Sequence, residues 1–397
     1  MIQISQRNRS LAVSQTLAMS QRSAELRAQG VDVINLSVGE PDFNTPQHIK
    51  DAAVRAIGEN YSFYSPVPGY MSLRKAIADH LTALDGVEFR PEQIVVSNGA
   101  KQALCNAILS IVNPGDEVVI PTPAWVSYVE MVKLAEGVTV TVPATIEQDF
   151  KITPEQLRRA ITPRTRLVIL CSPSNPTGSV YTREELQGLV NVLKDCPKVT
   201  IISDEIYRHI NFTGSYTSMI TFPELAGRVV IINGVSKAYA MTGWRIGFMA
   251  APVELAKACT KLQGQYTSGA SSIAQKAAEA AYLGPQECVS EMCEAFRRRR
   301  DLIVGLAREI PGLKVNDPQG AFYLFPEVSA YFGRRDGDKV IRDAADLAMY
   351  LLDKAHVATV DGAAFCLPGY IRLSYATSDD NIRRAMQRIA EALAALR

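Results

Sequence analysis

Seven short apolar runs, rich in β-branched residues, recur through the middle of the chain: Ile94–Ser97, Glu117–Ile120, Val138–Val142, Arg166–Cys171, Thr200–Ser203, Val229–Ile232 and Ile246–Ala250. Runs this short do not make buried helices, and continuous apolar stretches read as strands covered on both faces. Helical patterns separate several of them. Lys101–Ile111 places its apolar residues on one face, and Thr153-x-x-Gln156 and Thr182-x-x-Glu185 are capping-box starts. This alternation predicts an α/β domain built on a seven-stranded, mostly parallel sheet, with its chemistry in the loops at the strand ends.

Before that region, Leu17–Ala28 has a helical pattern ending at Gly30, and Val31–Leu36 reads as a short strand. A tight turn follows at Gly39–Phe43, after which Thr45 is expected as an N-cap and Pro46 as the first residue of a helix. Past Leu283 the pattern changes. A long helix carries Arg297–Arg300, short strands are expected at 313–315, 321–325, 357–360 and 371–374, and helices at 344–352 and at the C-terminus. The expected division is therefore a large domain over 46–285 and a smaller α+β domain over 286–397, to which the segment 1–45 belongs. No repeat or flexible linker intervenes, so the two should pack closely.

Among the 397 residues the formal net charge is +1, which offers no electrostatic case for nucleic acid or an anionic membrane surface. The basic run Arg297–Arg300 has Glu291, Glu294 and Asp301 beside it and reads as a solvated helix face. Cys105, Cys171, Cys196, Cys259, Cys288, Cys293 and Cys366 are scattered without paired spacing, as expected for reduced thiols in the cytoplasm. No apolar run reaches membrane-spanning length. His48, His80, His209 and His356 are too dispersed for a metal site, and GxGxxG, Walker and HExxH motifs are missing.

Lys237 stands just past the run Val229–Ile232, among Ala238, Tyr239, Met241 and Trp244. Partial desolvation there favours the neutral, nucleophilic amine. Arg245 supplies a fixed cation nearby. Ser97-Asn98-Gly99-Ala100-Lys101 turns from a strand into a helix and could seat an anion on free N–H groups, although any βα turn can contain glycine. Asn175 is clamped by Pro173 and Pro176, which suits an amide aimed into a cleft and equally an Asx-turn. Asp204 follows Ile201-Ile202 and is costly to bury without a cation; Tyr207 lies three residues on. A nucleophilic lysine, a phosphate-gripping arginine and a carboxylate suited to a protonated ring nitrogen are together what pyridoxal 5'-phosphate requires.

Five segments, Gly39-Glu40-Pro41-Asp42-Phe43, Ser172–Gly178, Asp204-Glu205-Ile206-Tyr207, Ser236–Gly247 and Ile371–Ala376, match in order and spacing over nearly the whole chain. They closely resemble the class I pyridoxal-phosphate aminotransferases, and most nearly the bacterial aspartate aminotransferase subgroup that includes some prephenate aminotransferases. The resemblance implies fold type I of the pyridoxal-phosphate-dependent transferases and a homodimer with shared active sites. It implies that Lys237 carries the cofactor and then moves the substrate proton. Asp204 would keep the ring nitrogen protonated, Tyr207 and Asn175 would bond the phenolic oxygen, and Trp125 would stack on the ring. Gly99, Ala100, Lys101, Ser236 and Arg245 would hold the phosphate side, with a hydroxyl from the partner subunit's Tyr64.

For the substrate, the resemblance implies that Arg372 grips the α-carboxylate, with Gly39, Trp125 and Asn175 around it. Lys101, Ser14 and Thr16 would receive a side-chain carboxylate, so the expected reaction is transfer of the amino group from L-aspartate to 2-oxoglutarate. Two departures bear on this. Ala12 stands where prephenate-active relatives carry a lysine, which counts against prephenate, and Gly234 replaces a serine that touches the phosphate. The alternatives are a broad-range, aromatic or prephenate transaminase, and more remotely a non-catalytic amino-acid sensor of the same fold.

Overall fold

The computed structural model describes residues 2–12 and 15–397, the side chains of 15–17 apart. A two-residue strand β1 (Ile34–Asn35) precedes a seven-stranded sheet made of β2 (Ile94–Ser97), β3 (Glu117–Thr122), β4 (Val138–Pro143), β5 (Thr165–Cys171), β6 (Thr200–Asp204), β7 (Val229–Gly234) and β8 (Gly247–Ala250). Its order is β2-β8-β7-β6-β5-β3-β4. Every pairing is parallel except those of β8, which runs antiparallel to both neighbours.

The apolar runs are continuous because helices cover both faces. Val96, Val119, Val168, Ile201 and Ile231 point into one buried cluster, and Val95, Val118, Leu167, Ile202 and Val230 into another. Edge strand β4 is mostly open to solvent and alternates instead, Val-Thr-Val-Thr-Val. At the β7–β8 crossing Gly234 faces Gly247, and a Cβ on Gly234 would meet the Gly247 Cα at 2.7 Å. The missing serine at 234 thus coincides with a place where the backbone leaves no room for a side chain.

The remaining elements gather around a second core that contains Leu36, Phe296, Phe322, Leu373 and Ile389. Here β1 pairs in parallel with Val357–Ala358, while Val360–Asp361, Ile371–Ser374 and Tyr323–Leu324 form a small antiparallel sheet. The helices Glu287–Arg308 and Asp379–Ala394 pack over it. On these grounds we propose that 1–45 and 286–397 make up the smaller domain and 46–285 the larger.

Both capping boxes form as expected, with Thr153 accepting the Gln156 N–H and Thr182 the Glu185 N–H. Five local expectations are corrected. The strand at 31–36 shrinks to β1, and 313–315 contributes only a single bridge, Lys314 to Glu327. The helix at 344–352 stays α-helical to Tyr350 and widens into a π turn over Leu351–Ala355. Thr45 caps nothing, because its hydroxyl is used elsewhere: it donates to the Ala240 carbonyl at 2.7 Å and accepts from the Trp244 indole at 3.0 Å. Arg299 is not a solvated residue. It is 8% exposed and clamps the Asp42 carboxylate with two bonds of 2.7 and 3.0 Å, fixing the turn Gly39–Phe43 to the long helix.

Candidate active site

Parallel pairing brings the ends of β5, β6 and β7 to one edge of the sheet, where Cys171 lies opposite Asp204 and Asp204 opposite Ile232. A cavity of about 540 Å³ opens there, lined on different sides by Asp204, Lys237, Trp125 and Arg372.

Lys237 leaves β7 on a single helical turn, Val235–Ala238, beside buried Ser236. Its amine donates to the Gly39 carbonyl, and burial pushes its pKa down to about 8 against the opposing pull of Glu40. The turn after it is stapled to the N-terminal segment by Thr45 and by the Thr242 hydroxyl, which donates to Glu40 at 2.9 Å. Side-chain placement here is therefore fixed from two directions in the sequence.

Asp204 ends β6 with its carboxylate inside the cavity wall. Oδ2 accepts the Tyr128 hydroxyl at 2.6 Å and Oδ1 the Ile206 N–H at 3.2 Å. Burial outweighs both bonds and the attraction of Lys237, and holds the pKa up at about 6. Tyr207 is buried beyond it, its hydroxyl 2.6 Å from that of Tyr323.

Arg372 is 2% exposed and lies over the rings of Tyr323 and Phe365, at 4.5 and 4.9 Å. Its Nη1 donates to Asn175 Oδ1 at 2.9 Å and its Nη2 to the Ser37 carbonyl at 2.7 Å, whereas Nε has no partner among the described residues. A buried guanidinium with neutral partners is a receptor for a carboxylate.

Across the cavity, the helix Ala100–Ile111 begins after Gly99 at φ 82°. The Arg245 guanidinium packs so tightly on Gly99 that a Cβ there would overlap it, and a Cβ on Gly247 would overlap the Ala100 nitrogen. Arg245 is held by the Thr242 and Asn98 carbonyls at 2.9 and 3.2 Å. First-turn N–H groups and a fixed guanidinium thus converge on one spot, an anion cradle. Lys101 projects from the same turn over the Trp125 ring at 4.8 Å, and burial, then Arg245, draw its pKa below the usual lysine range.

Gly39, Ala100, Lys101, Trp125, Asn175, Asp204, Tyr207, Ser236, Lys237, Arg245 and Arg372 all line this cavity, and Gly99 lies against its arginine. Tyr64 does not; it is 97% exposed. Ser14 lies outside the described residues, as does the side chain of Thr16, whose backbone is in the helix Gln15–Ala28. Sequence reasoning missed Tyr128 and Tyr323. Tyr128 stands three residues past Trp125, a spacing that sets both on one side of a helical turn; Tyr323 gave no signal separate from the core pattern around it. No group of three or more potential metal ligands occurs among the described residues.

The sequence model of the family described as aminotransferase class I and II matches residues 31–389. The chain belongs to that family. The aminotransferase is 46% identical to the aspartate/prephenate aminotransferase of Nitrosomonas europaea over 99% of this chain and 100% of the relative. It is 48% identical to the aspartate aminotransferase of Geobacillus stearothermophilus over 98% of each chain. Its fold superimposes on the crystal structure of the aspartate aminotransferase from Rhizobium meliloti with a TM-score of 0.96 at 42% identity, covering 100% of both chains. The Thermus thermophilus aspartate aminotransferase with maleate gives 0.92 at 41% identity over 99% of this chain and 100% of that one. Among the described residues no helix of the aminotransferase is long and apolar enough to cross a membrane.

Proposed function

We propose that this aminotransferase is a pyridoxal 5'-phosphate-dependent aspartate aminotransferase, a homodimer of the cytoplasm that moves the amino group of L-aspartate to 2-oxoglutarate by a ping-pong route. The observation that carries the reading is the opposition, in one cavity, of the Lys237 amine and buried Asp204 to the carboxylate receptor Arg372. The residues fit the cofactor: a buried carboxylate of raised pKa, an anion cradle whose glycines leave no room for a Cβ, and an amine of lowered pKa. Seven free cysteines suit a reducing compartment.

When bound, the cofactor supplies an electron sink that lets the Cα–H of an amino acid leave as a proton. The first-turn N–H groups of Ala100 and Lys101, with Arg245, would bind its phosphate. Asp204, its charge supported by Tyr128, would hold a proton on the ring nitrogen. Trp125 would help to keep water off the ring. Lys237 would hold the group and, once free of it, would take the proton from the substrate Cα, a task for which a pKa of about 8 is suited near neutral pH. Arg372 fixes the α-carboxylate and so aligns the Cα–H bond.

For the second carboxylate, Lys101 supplies a cation on the cavity wall, and Ser14 and Thr16 are proposed with it from the resemblance alone. The relative solved with maleate, a dicarboxylic anion, supports an acidic substrate. A dual aspartate and prephenate activity is the second reading, favoured by relatives that bear both names in Nitrosomonas europaea and Cereibacter sphaeroides. Ala12 counts against it. We also propose that Tyr64 of the partner subunit completes each cradle, which supports the dimer. Titrating the holoenzyme with L-aspartate, L-glutamate, L-phenylalanine and L-arogenate, and following conversion of the cofactor to its amine form, tests the reading. Selective conversion by aspartate and glutamate is expected; comparable conversion by phenylalanine overturns the aspartate assignment, and comparable conversion by arogenate replaces it with the dual reading.

A further inference from the structure

The segment 61–70 shows two adjacent rings to solvent, Phe63 at 79% and Tyr64 at 97% exposure. A slack segment would fold such rings back onto the protein. This one is held out by two glutamines that are themselves 0% exposed. Gln275 accepts the Tyr70 N–H at 2.8 Å and donates to the Ser65 hydroxyl at 2.9 Å and the Ala270 carbonyl at 2.8 Å. Beside it the Ser272 hydroxyl donates to the Phe63 carbonyl at 2.8 Å. Gln263 donates to the Val67 and Val96 carbonyls at 2.8 and 3.0 Å, and accepts from the Ser97 hydroxyl at 2.7 Å and the Asn106 amide at 2.9 Å. Buried amides that make four bonds, as Gln263 does, or three, as Gln275 does, restrict the arrangement of what they touch.

The two glutamines differ in what they join. Gln275 bonds only to the displayed segment and to the turn that leads into its own helix. Gln263 bonds to the segment through Val67 and also to the end of β2 through Ser97, two residues before the Gly99 cradle.

We propose that Gln275 and Gln263 are positioning residues of a site shared between two copies of the chain. Gln275 holds Tyr64 out for the cradle of the partner subunit, and Gln263 serves that segment and the chain's own cradle together. The inference rests on the two-subunit reading above.

Mixed dimers test it. One chain carries Lys237→Ala and the other an intact Lys237, so a single site holds lysine-linked cofactor and takes Tyr64 from the Lys237→Ala chain. The readout is the rate at which the visible absorbance of that linked cofactor fades after dilution into a carbonyl scavenger. Gln275→Met, which keeps volume and removes the amide, is expected to speed loss about 5-fold when placed on the Lys237→Ala chain and to do nothing on the intact chain. Gln263→Met is expected to speed loss from either chain. Tyr64→Phe serves as the reference and acts only from the Lys237→Ala chain. If Tyr64→Phe acts from neither chain, the shared-site reading falls and the inference with it. If Tyr64→Phe acts as expected but Gln275→Met acts equally from both chains or from neither, the positioning role is overturned. Should Gln263→Met fail to fold, Ser272→Ala and Ser97→Ala each remove one bond, and the first must act from the Lys237→Ala chain and the second from the intact one.

Discussion

The Tyr128 hydroxyl donates to Asp204 Oδ2 at 2.6 Å, in a place that neither side chain shares with water. A short bond to a charged acceptor is worth about 1.5–3 kcal/mol, and it favours the ionised carboxylate over the neutral acid. Asp204 needs that help because burial has already lifted its pKa to about 6. In Tyr128→Phe the acid form gains ground and the ring nitrogen loses part of its counter-charge. We expect kcat to fall about 10-fold with KM for aspartate within about 2-fold, since the bond acts on the reacting group and not on substrate capture. Steady-state kinetics alongside a melting curve check this. An unchanged kcat would remove Tyr128 from the chemistry.

Arg372→Lys replaces a planar fork with a point charge. The guanidinium is positioned by Asn175, the Ser37 carbonyl and the two rings beneath it, and an ammonium cannot bond two carboxylate oxygens while keeping those partners. Because every amino acid carries the same α-carboxylate, kcat/KM should drop by about 100-fold for aspartate and alanine alike, corresponding to about 2–3 kcal/mol. Wild-type efficiency in this variant would sink the assignment.

Without cofactor, Asp204 and Glu205 should each take stability from the protein as the pH rises from mildly acidic to neutral, while His80 and His209, which burial holds down at about 4 and about 3, add stability up to the ordinary histidine pKa. Burial holds Asp204 at about 6 and Glu205 at about 7, above their ordinary values of 3.8 and 4.5. The folded chain therefore binds these protons more tightly than the unfolded one. That stabilisation is complete below about pH 4 and is lost as the pH passes through 6 and 7. The Lys237 pKa is displaced downward to about 8, so its contribution recovers at still higher pH. Between about pH 5 and pH 8 the urea midpoint of cofactor-free Asp204→Asn should therefore fall less, or rise more, than that of the unmutated protein. Parallel profiles for the two proteins would contradict the direction of the Asp204 shift.

Much of this was legible before any coordinates because burial on two faces leaves a plain mark. A strand such as Val229–Ile232 must be apolar throughout, and the polar residue that ends it then stands out, as Lys237 and Asp204 do. The turn Ser97–Lys101 stands out as a strand end for the same reason, its use for a phosphate being implied by the resemblance alone. Contacts between segments far apart in sequence were not. Thr45 has the composition of a cap, yet its hydroxyl is taken by Ala240 and Trp244, nearly two hundred positions away. Arg299 sits in a run of four arginines that any charge pattern assigns to solvent, and only the packing of the long helix against Asp42 singles it out. Tyr128 and Tyr323 were hidden because a tyrosine in an apolar stretch looks like core until its hydroxyl is seen to face another polar group.

On the proposed reading, the choice of substrate turns on Lys101. It lies in the first turn of the helix whose N–H groups make the cradle, yet its amine lies over the Trp125 ring and, among the described residues, pairs with no carboxylate. Two outcomes separate the roles this permits. If the amine receives the second carboxylate of aspartate, Lys101→Ala removes an attraction that alanine never used: kcat/KM for aspartate should fall about 100-fold while that for alanine stays within about 3-fold. If the amine instead neutralises phosphate with Arg245, both substrates suffer equally and cofactor affinity falls with them. The measured quantity is the ratio of the two efficiencies, which cancels any loss of folded enzyme. A ratio that the mutation leaves unchanged would return Lys101 to the cofactor cradle and leave the acidic substrate without its receptor.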